Sequence, residues 1–323
     1  MTLRLGSRGS ALAVIQTSIV ADLLVKAHPG LNIGRVLIRT SGDQGKREVL
    51  GAFVTEVQDA LLDGRTDVGI HSLKDMPTGK VDGLTIAAIP VREDSRDIVL
   101  SALGAFLDLP SGARVGTGCP RRQAQLASIR PDLNYLPIVG NVDSRIRKLY
   151  DGQYDAIVLA LAGIKRLKYV DDAGQLLSHY MASSVGGEVE KVLYLDILDS
   201  QTVMPAPGQG ALALECRASD VRTLEILQKL DDCPSHAAVT AERTVLNALG
   251  GGCSTPIAAY GSFNGSRLTL MGLVSSPDGK RVIRASAESE LDDPVALGLV
   301  VAEALRDQGA EEILGGNGNV GIH

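Results

Sequence analysis

The sequence predicts an α/β protein: two domains of related design, each built on a mostly parallel sheet, followed by a smaller domain with an antiparallel sheet. Short apolar runs alternate with helix-period segments, the grammar of βαβ units. That grammar begins again after about residue 98. Beyond Pro234 it gives way to strands separated by tight turns. A chain of 323 residues has room for two domains or three, at roughly 150 residues each.

The first strand reads from Leu3 to Leu5, followed by Gly6-Ser7-Arg8-Gly9. Ser10 suits an N-cap, since its hydroxyl can take a first-turn N–H. The apolar spacing from Ala11 to Ala27 fits a helix that His28-Pro29-Gly30 ends. A strand follows at Arg35–Thr40, a polar loop at Ser41–Glu48, and a helix at Phe53–Leu62. Asp67–Ser72 and Leu84–Ile89 read as buried strands. The chain crosses to the second domain near Pro90 to Asp97. There, Ala113–Thr117 is a strand, and Pro120 opens a helix at the position where proline's missing N–H costs nothing. Asn134–Ile138 is a strand, Gly140–Ser144 leads into a helix, and Tyr154–Ala160 matches Asp67–Ser72 in character. The segment Met204-Pro-Ala-Pro-Gly-Gln-Gly210 reads as a hinge, with Ala211–Leu214 returning to a sheet. A helix from Pro234 ends at Gly250-Gly-Gly252. Ile257–Phe263, Leu268–Val274 and Arg281–Ser286, joined at Asn264-Gly265 and Pro277-Asp-Gly279, form a three-stranded antiparallel sheet. Asp293-Pro294 starts a last helix to about Leu305, and a glycine-rich tail follows.

Apolar residues make up 45% of the chain, enough for a sizeable core, but aromatics only 3%. The core is therefore aliphatic, and the ring platforms on which single-stranded nucleic acids stack are scarce. Lys and Arg total 32 against 38 Asp and Glu, a net charge of −6, which removes a whole-molecule basic footprint for nucleic acid. Met1–Arg8 has no continuous apolar stretch of a secretory signal. The longest apolar run, Ala156–Ile164, is too short for a bilayer, which needs about 20 residues. A soluble cytoplasmic protein with no membrane or nucleic-acid partner is expected. Cys119, Cys216, Cys233 and Cys253 form no C-x-x-C and have no histidine at metal-ligand spacing, so neither a disulfide scaffold nor a metal site is expected. Phosphate-loop, dinucleotide, zinc-hydrolase and serine-hydrolase motifs are all absent.

The acidic chain nevertheless clusters its arginines. Arg121 and Arg122 fall in the first turn of an expected helix, where cations oppose the helix dipole at a cost of a few tenths of a kcal/mol or more. Arg8 precedes one helix start, and Arg145 sits in the first turn of another. In an open α/β sheet the loops at the strand carboxyl ends share one crevice. These cations therefore point to a ligand with several carboxylates or phosphates. His71-Ser-Leu-Lys-Asp-Met-Pro77 places Lys74 and Asp75 at the same end. A carboxylate among cations can stabilise developing positive charge or carry a proton. His71, beside an apolar strand, reads as a core histidine. Two thiols compete for an attachment or attacking role: Cys253 in the glycine-rich Gly250–Pro256 loop and Cys119 beside the paired arginines. Residue chemistry leaves that choice open. Cys216 reads as core.

Together these segments resemble the porphobilinogen deaminase (hydroxymethylbilane synthase) family of tetrapyrrole (haem and porphyrin) biosynthesis. The resemblance rests on Arg8-Gly-Ser-Ala-Leu-Ala13 with Gln16, His71–Pro77, Arg92-Glu-Asp-Ser-Arg-Asp97 and Val115–Gln123. It continues through Gly140–Arg145, Leu161–Arg166, Pro205–Ala211, Ala241-Glu-Arg243 and Gly250–Ile257, in one order along nearly the whole chain. It implies two type II periplasmic-binding-protein-like α/β domains, 1–92 with 208–227 and 97–203, and a small α+β domain at 231–314 with the three-stranded sheet; the glycine-rich tail at 315–323 is expected to be mobile from its composition. It implies a monomeric transferase that joins four porphobilinogen units, losing ammonia each time, and releases hydroxymethylbilane. A dipyrromethane cofactor is held as a thioether on the cysteine matching Cys253, with Lys74, Asp75, Arg121 and Arg122 around it. Asp75 is the implied catalytic residue. Arg8, Lys74, Arg121, Arg122, Arg145 and Arg166 are implied to hold acetate and propionate groups, with Ser10, Gln16, Thr117, Asn141 and Gly163 beside them. Val139 stands where the family usually has an arginine. A carboxylate-binding protein of the same fold without effective catalysis is the alternative reading.

Overall fold

The computed structural model describes residues 2–39, 54–171, 175–176, 193–252, 254–290 and 293–315. The chain divides into two compact units: Met1–Glu93 with Gly208–Val239, and Asp94–Pro207 with Thr240–His323.

In the first unit, β1 (Thr2–Arg8), β2 (Asn32–Ile38), β3 (Val68–Ser72), β4 (Leu84–Ala88) and β10 (Leu212–Arg217) form a sheet ordered β2-β1-β3-β10-β4. β1 pairs in parallel with β2 and β3, while β10 runs antiparallel between β3 and β4. Four strands thus point one way and one against them. Helix α1 (Ala11–Ala27) starts where expected, with the Ser10 hydroxyl accepting from the Ala13 N–H. Its Val20, Ala21 and Leu24 pack on Leu3, Leu5, Ile70, Leu212 and Leu214. α2 (Thr55–Leu62) covers the opposite face, where Val57 and Ala60 meet Ile38. The period of two along β10 divides its side chains: Leu212 and Leu214 join the α1 layer, while Ala213, with Ala211 just before the strand, packs with Val54, Leu73, Met76 and Val239. α6 (Val221–Gln228) follows β10, capped by Asp220.

The second unit repeats the plan. Its strands are β5 (Asp97–Ser101), β6 (Arg114–Gly116), β7 (Asn134–Leu136), β8 (Ala156–Ala160) and β9 (Tyr194–Ile197), in the order β7-β6-β8-β5-β9. Here β5 is the reversed strand, antiparallel to β8 and β9. α3 (Pro120–Ile129) covers one face, its Leu126 on Val99, Val115 and Val158. α4 (Val142–Tyr150) covers the other, its Ile146 and Leu149 on Ile98, Leu100, Ile157 and Leu159. The short α5 (Leu161–Arg166) continues from β8. The reversed strands and β9 escaped the sequence reading as separate elements or as reversed ones, because pairing direction leaves no local pattern.

Helix α7 (Cys233–Ala248) leads to the antiparallel sheet β11 (Ile257–Asn264), β12 (Arg267–Ser275) and β13 (Val282–Glu290), then α8 (Pro294–Asp307) and α9 (Ala310–Gly315). The sheet belongs to the second unit. In its β12–β13 turn, Gly279 has φ +72°, and a Cβ there would lie 2.3 Å from the Ala124 carbonyl of α3. Only glycine lets that turn seat on the helix. Met204 packs with Ala258 and Leu273 in the same unit. The fold class expected from the sequence is the one observed.

Each large sheet is closed at corresponding strands by the same clasp. Arg4 on β1 grips Asp67, just before β3, through Nε (3.0 Å) and Nη2 (2.7 Å). Arg114 on β6 grips Asp155, just before β8, through Nε (3.0 Å) and Nη2 (2.8 Å). Both backbones add reciprocal N–H to acceptor bonds between the same residues. Such bidentate pairs fix orientation as well as charge. The Arg114 guanidinium holds the Asp155 carboxyl below the usual carboxylate range. At Asp67 burial pushes the carboxyl up, but hydrogen bonds from Arg4 and Arg217 outweigh it, and it too lies low. A carboxyl whose folded-state pKa is depressed contributes stability that is present above its unfolded pKa, near 3.9, and lost as pH falls through the folded value. Urea unfolding midpoints should therefore fall below about pH 4. The Asp155→Asn variant should start lower at pH 7 and show a flatter acid limb.

Candidate active site

In the first unit the expected residues gather at the carboxyl ends of β1 and β3. Arg8 ends β1 and is half-buried. Ser72 ends β3, and a single 3-10 turn, Leu73–Asp75, presents Lys74 and Asp75. The turn is anchored from beneath: the Leu73 N–H donates to the Ala211 carbonyl (3.1 Å) and the Met76 N–H closes back on Leu73 (3.1 Å). Lys74 Nζ donates to Gln209 Oε1 at 3.2 Å. The Asp75 carboxylate is half-buried. Gln16, 4% exposed on α1, exchanges hydrogen bonds with the Ser72 hydroxyl (3.0 and 3.3 Å). Ser10 is committed to its cap. His71 is a satisfied core histidine, its Nε2 3.1 Å from Glu215 Oε2 and both side chains buried; Gln58 donates to the other Glu215 oxygen at 2.9 Å.

The second unit assembles its set at the corresponding sheet end. Thr117, 2% exposed, follows β6, and its hydroxyl accepts from the Cys119 N–H. Arg121 and Arg122 lie in the first turn of α3, 2% and 6% exposed. The electrostatic cost of two cations there is met from within the chain. Asp97, 0% exposed at the start of β5, accepts from Arg121 Nη2 (2.7 Å) through one oxygen and from Arg122 Nε (3.0 Å) and Nη2 (2.6 Å) through the other. Arg121 Nη1 also reaches the Met204 carbonyl, which Gln125 Nε2 shares. Arg121 Nε is buried with no hydrogen-bond partner among the described residues. Burial pushes the Cys119 thiol up, but the two guanidiniums and the Arg122 N–H outweigh it, so it lies below the usual thiol range. Cys216, by contrast, is core, and burial pushes it up to about 11. Asn141 caps α4 by position, yet its side chain makes no capping bond. Arg145 Nε donates to the Gly140 carbonyl (2.9 Å), and Lys148 Nζ to that of Val139 (3.1 Å). Gly163 and Arg166 lie on α5, both half-buried. Cys253 and the polar loop at 41–48 lie outside the described residues.

Sequence reasoning missed two residues here. Asp97 was quoted in a motif without a role; the signal was a carboxylate set directly against the apolar Ile98–Leu100 run. Gln209 stood in the Pro205–Ala211 motif, likewise without a role, and nothing local pointed to its partner Lys74. Among the described residues no group of histidine, cysteine and acidic side chains could hold a metal.

Fold and site together define a two-sheet α/β protein that carries a set of cationic side chains at the same end of each sheet, with one acidic residue, Asp75, in the first set. Sequence comparison is more specific. The family described as porphobilinogen deaminase, dipyromethane cofactor binding domain, matches residues 3–225, and its C-terminal domain matches 236–307. The chain is 43% identical over 319 residues to the porphobilinogen deaminase of Brevibacillus brevis, covering 96% of each. It is 41% identical to that of Roseiflexus sp., covering 98% of this chain and 99% of the relative. This chain belongs to the porphobilinogen deaminase family. Among solved structures, the BvgS VFT2 domain of Bordetella pertussis aligns with a TM-score of 0.42 at 16% identity, covering 71% of this chain and 86% of that one.

Replacing Asp97 by Ala leaves two buried guanidiniums facing each other without a counter-charge. We expect a loss of about 3–5 kcal/mol in unfolding free energy, measured by denaturant titration. Lys148→Ala, on an exposed carbonyl contact, should stay within about 0.5 kcal/mol of the parent.

Proposed function

We propose that this chain is a hydroxymethylbilane-forming transferase. It condenses four porphobilinogen units, one ammonia leaving at each step, and releases the linear tetrapyrrole with water. What carries the reading is the placing of Asp75 beside Lys74 at the sheet end in a chain of this family. Each condensation joins the aminomethyl carbon of one unit to a free pyrrole α-carbon, expels ammonia and leaves a proton to be removed. A carboxylate at Asp75 stabilises the positive charge that develops and takes up that proton.

The cationic donors of each unit suit the carboxylates of such a ligand. Arg8 and Lys74 in one unit, with Arg145, Arg166 and the Arg121–Arg122 pair in the other, supply cationic donors. The orphaned Arg121 Nε is a buried donor that a carboxylate oxygen would satisfy. Dipyrromethane, when bound through the Cys253 thioether, supplies the α-carbon that accepts the first unit. Lys74, Asp75, Arg121 and Arg122 would hold it. Ser10, Gln16, Thr117, Asn141 and Gly163 would line the substrate's path. We read 1–92 with 208–227, 97–203 and 231–314 as three domains, acting as a cytoplasmic monomer without nucleic-acid or membrane partners. No described helix is long and apolar enough to cross a membrane.

Protein expressed in a haem-making host should carry a dipyrromethane-sized mass adduct that disappears in Cys253→Ser; an unmodified parent mass would overturn the cofactor assignment. Asp75→Ala should keep the adduct and lose about 10²–10⁴-fold in kcat, and normal turnover in that variant would overturn the role of Asp75.

A further inference from the structure

The segment after Pro207 has no part in the chemistry above, yet it touches the turn that presents Lys74. Gln209 is 1% exposed. Its side-chain oxygen accepts from Lys74 Nζ at 3.2 Å, and its backbone carbonyl accepts from Arg92 Nε at 2.8 Å. The Arg92 N–H goes to Ser235 Oγ (3.0 Å), and the Glu93 N–H to the Gly210 carbonyl (3.3 Å). Gly208, with φ +74°, would place a Cβ 3.0 Å from Leu73 Cγ, so the segment lies directly on the turn. Glu93, where the chain first leaves the first unit, and Gly208, where it re-enters, are therefore bonded or packed into one cluster that ends at Lys74.

We propose that Gln209 is a positioning residue for substrate binding: its amide oxygen fixes where the Lys74 ammonium points, and its carbonyl ties that lysine to the crossing segment at Arg92. The inference rests on the reading of Lys74 as a residue that holds a substrate carboxylate. A lysine stem has four rotatable bonds, and ordering it when substrate arrives weakens binding. An acceptor on a buried, backbone-anchored residue orders it beforehand. The ammonium has three donors, and Gln209 takes one, so the contact orients the charge without neutralising it.

The test is a double-mutant cycle on full-length, cofactor-loaded protein, with kcat and KM for porphobilinogen as readouts. Methionine keeps the length of Gln209 and removes its acceptor. Gln209→Met should raise KM about tenfold, the scale of one hydrogen bond to a charged group, with little change in kcat. Lys74→Met should lose at least as much in kcat/KM, and the double variant no more than Lys74→Met alone. A purely structural Gln209 would give losses that add, and additivity overturns the proposal, as does an unchanged KM in Gln209→Met. If Lys74→Met leaves kcat/KM unchanged, the reading of Lys74 itself fails, and the proposal with it. Should Gln209→Met fail to load cofactor, Gln209→Glu replaces it. Its carboxylate neutralises Lys74, so KM should rise, and that rise should vanish in the Lys74→Met background; persistence there overturns the proposal.

Discussion

Asp97 takes two guanidiniums on one carboxylate in a place without solvent, and the second unit is organised around that contact. The carboxylate sits at the first residue of β5, the strand that inserts antiparallel between β8 and β9. The guanidiniums come from the first turn of α3, where positive charge opposes the helix dipole. A buried carboxylate with one cation, or two buried cations with none, would each be costly. The observed trio carries two positive charges and one negative. It therefore holds α3 against β5 while keeping a cationic character suited to an anionic ligand. The same arginines serve the packing and, in the function proposed above, the binding of carboxylates, so changes here should rarely affect one without the other.

The two units solve the same problem with the same sheet order and the same Arg–Asp clasp, yet they differ at the carboxyl end of β3 and of β8. In the first, β3 runs into a tight turn bearing Lys74 and Asp75. In the second, β8 runs into α5 bearing Gly163 and Arg166. One unit thus offers an acid among cations, and the other offers cations with their acid already consumed by Asp97. The difference comes down to which carboxylate is buried, Asp97, and which is left half-exposed, Asp75.

Local chemistry made much of this legible. Ser10 as a cap, Pro120 at a helix start, the hairpin at Asn264-Gly265 and the helix after Asp293 each depend on near neighbours, and each stands where the sequence put it. What could not be read depends on distant partners. Asp97 meets arginines 24 and 25 residues away, and Lys74 meets a glutamine 135 residues away. The sequence showed arginines that needed an anion, and it suggested a ligand. It could not show that part of the answer was a side chain of the same protein. β5 was lost for a related reason: its first residue is an aspartate in a charged run, which hides a strand whose later residues are wholly buried.

The position of β10 governs the order in which the protein can be made. It lies between β3 and β4, and among the described residues β4 pairs with no other strand. The first sheet therefore cannot close until the ribosome has passed Arg217, long after β1 to β4 have emerged. The second sheet draws all its strands from one stretch, Asp97 to Ile197, and is available for completion sooner. During synthesis the amino-terminal half waits with the edge of β3 unpaired, which is the interval when such a chain is most exposed to misassociation.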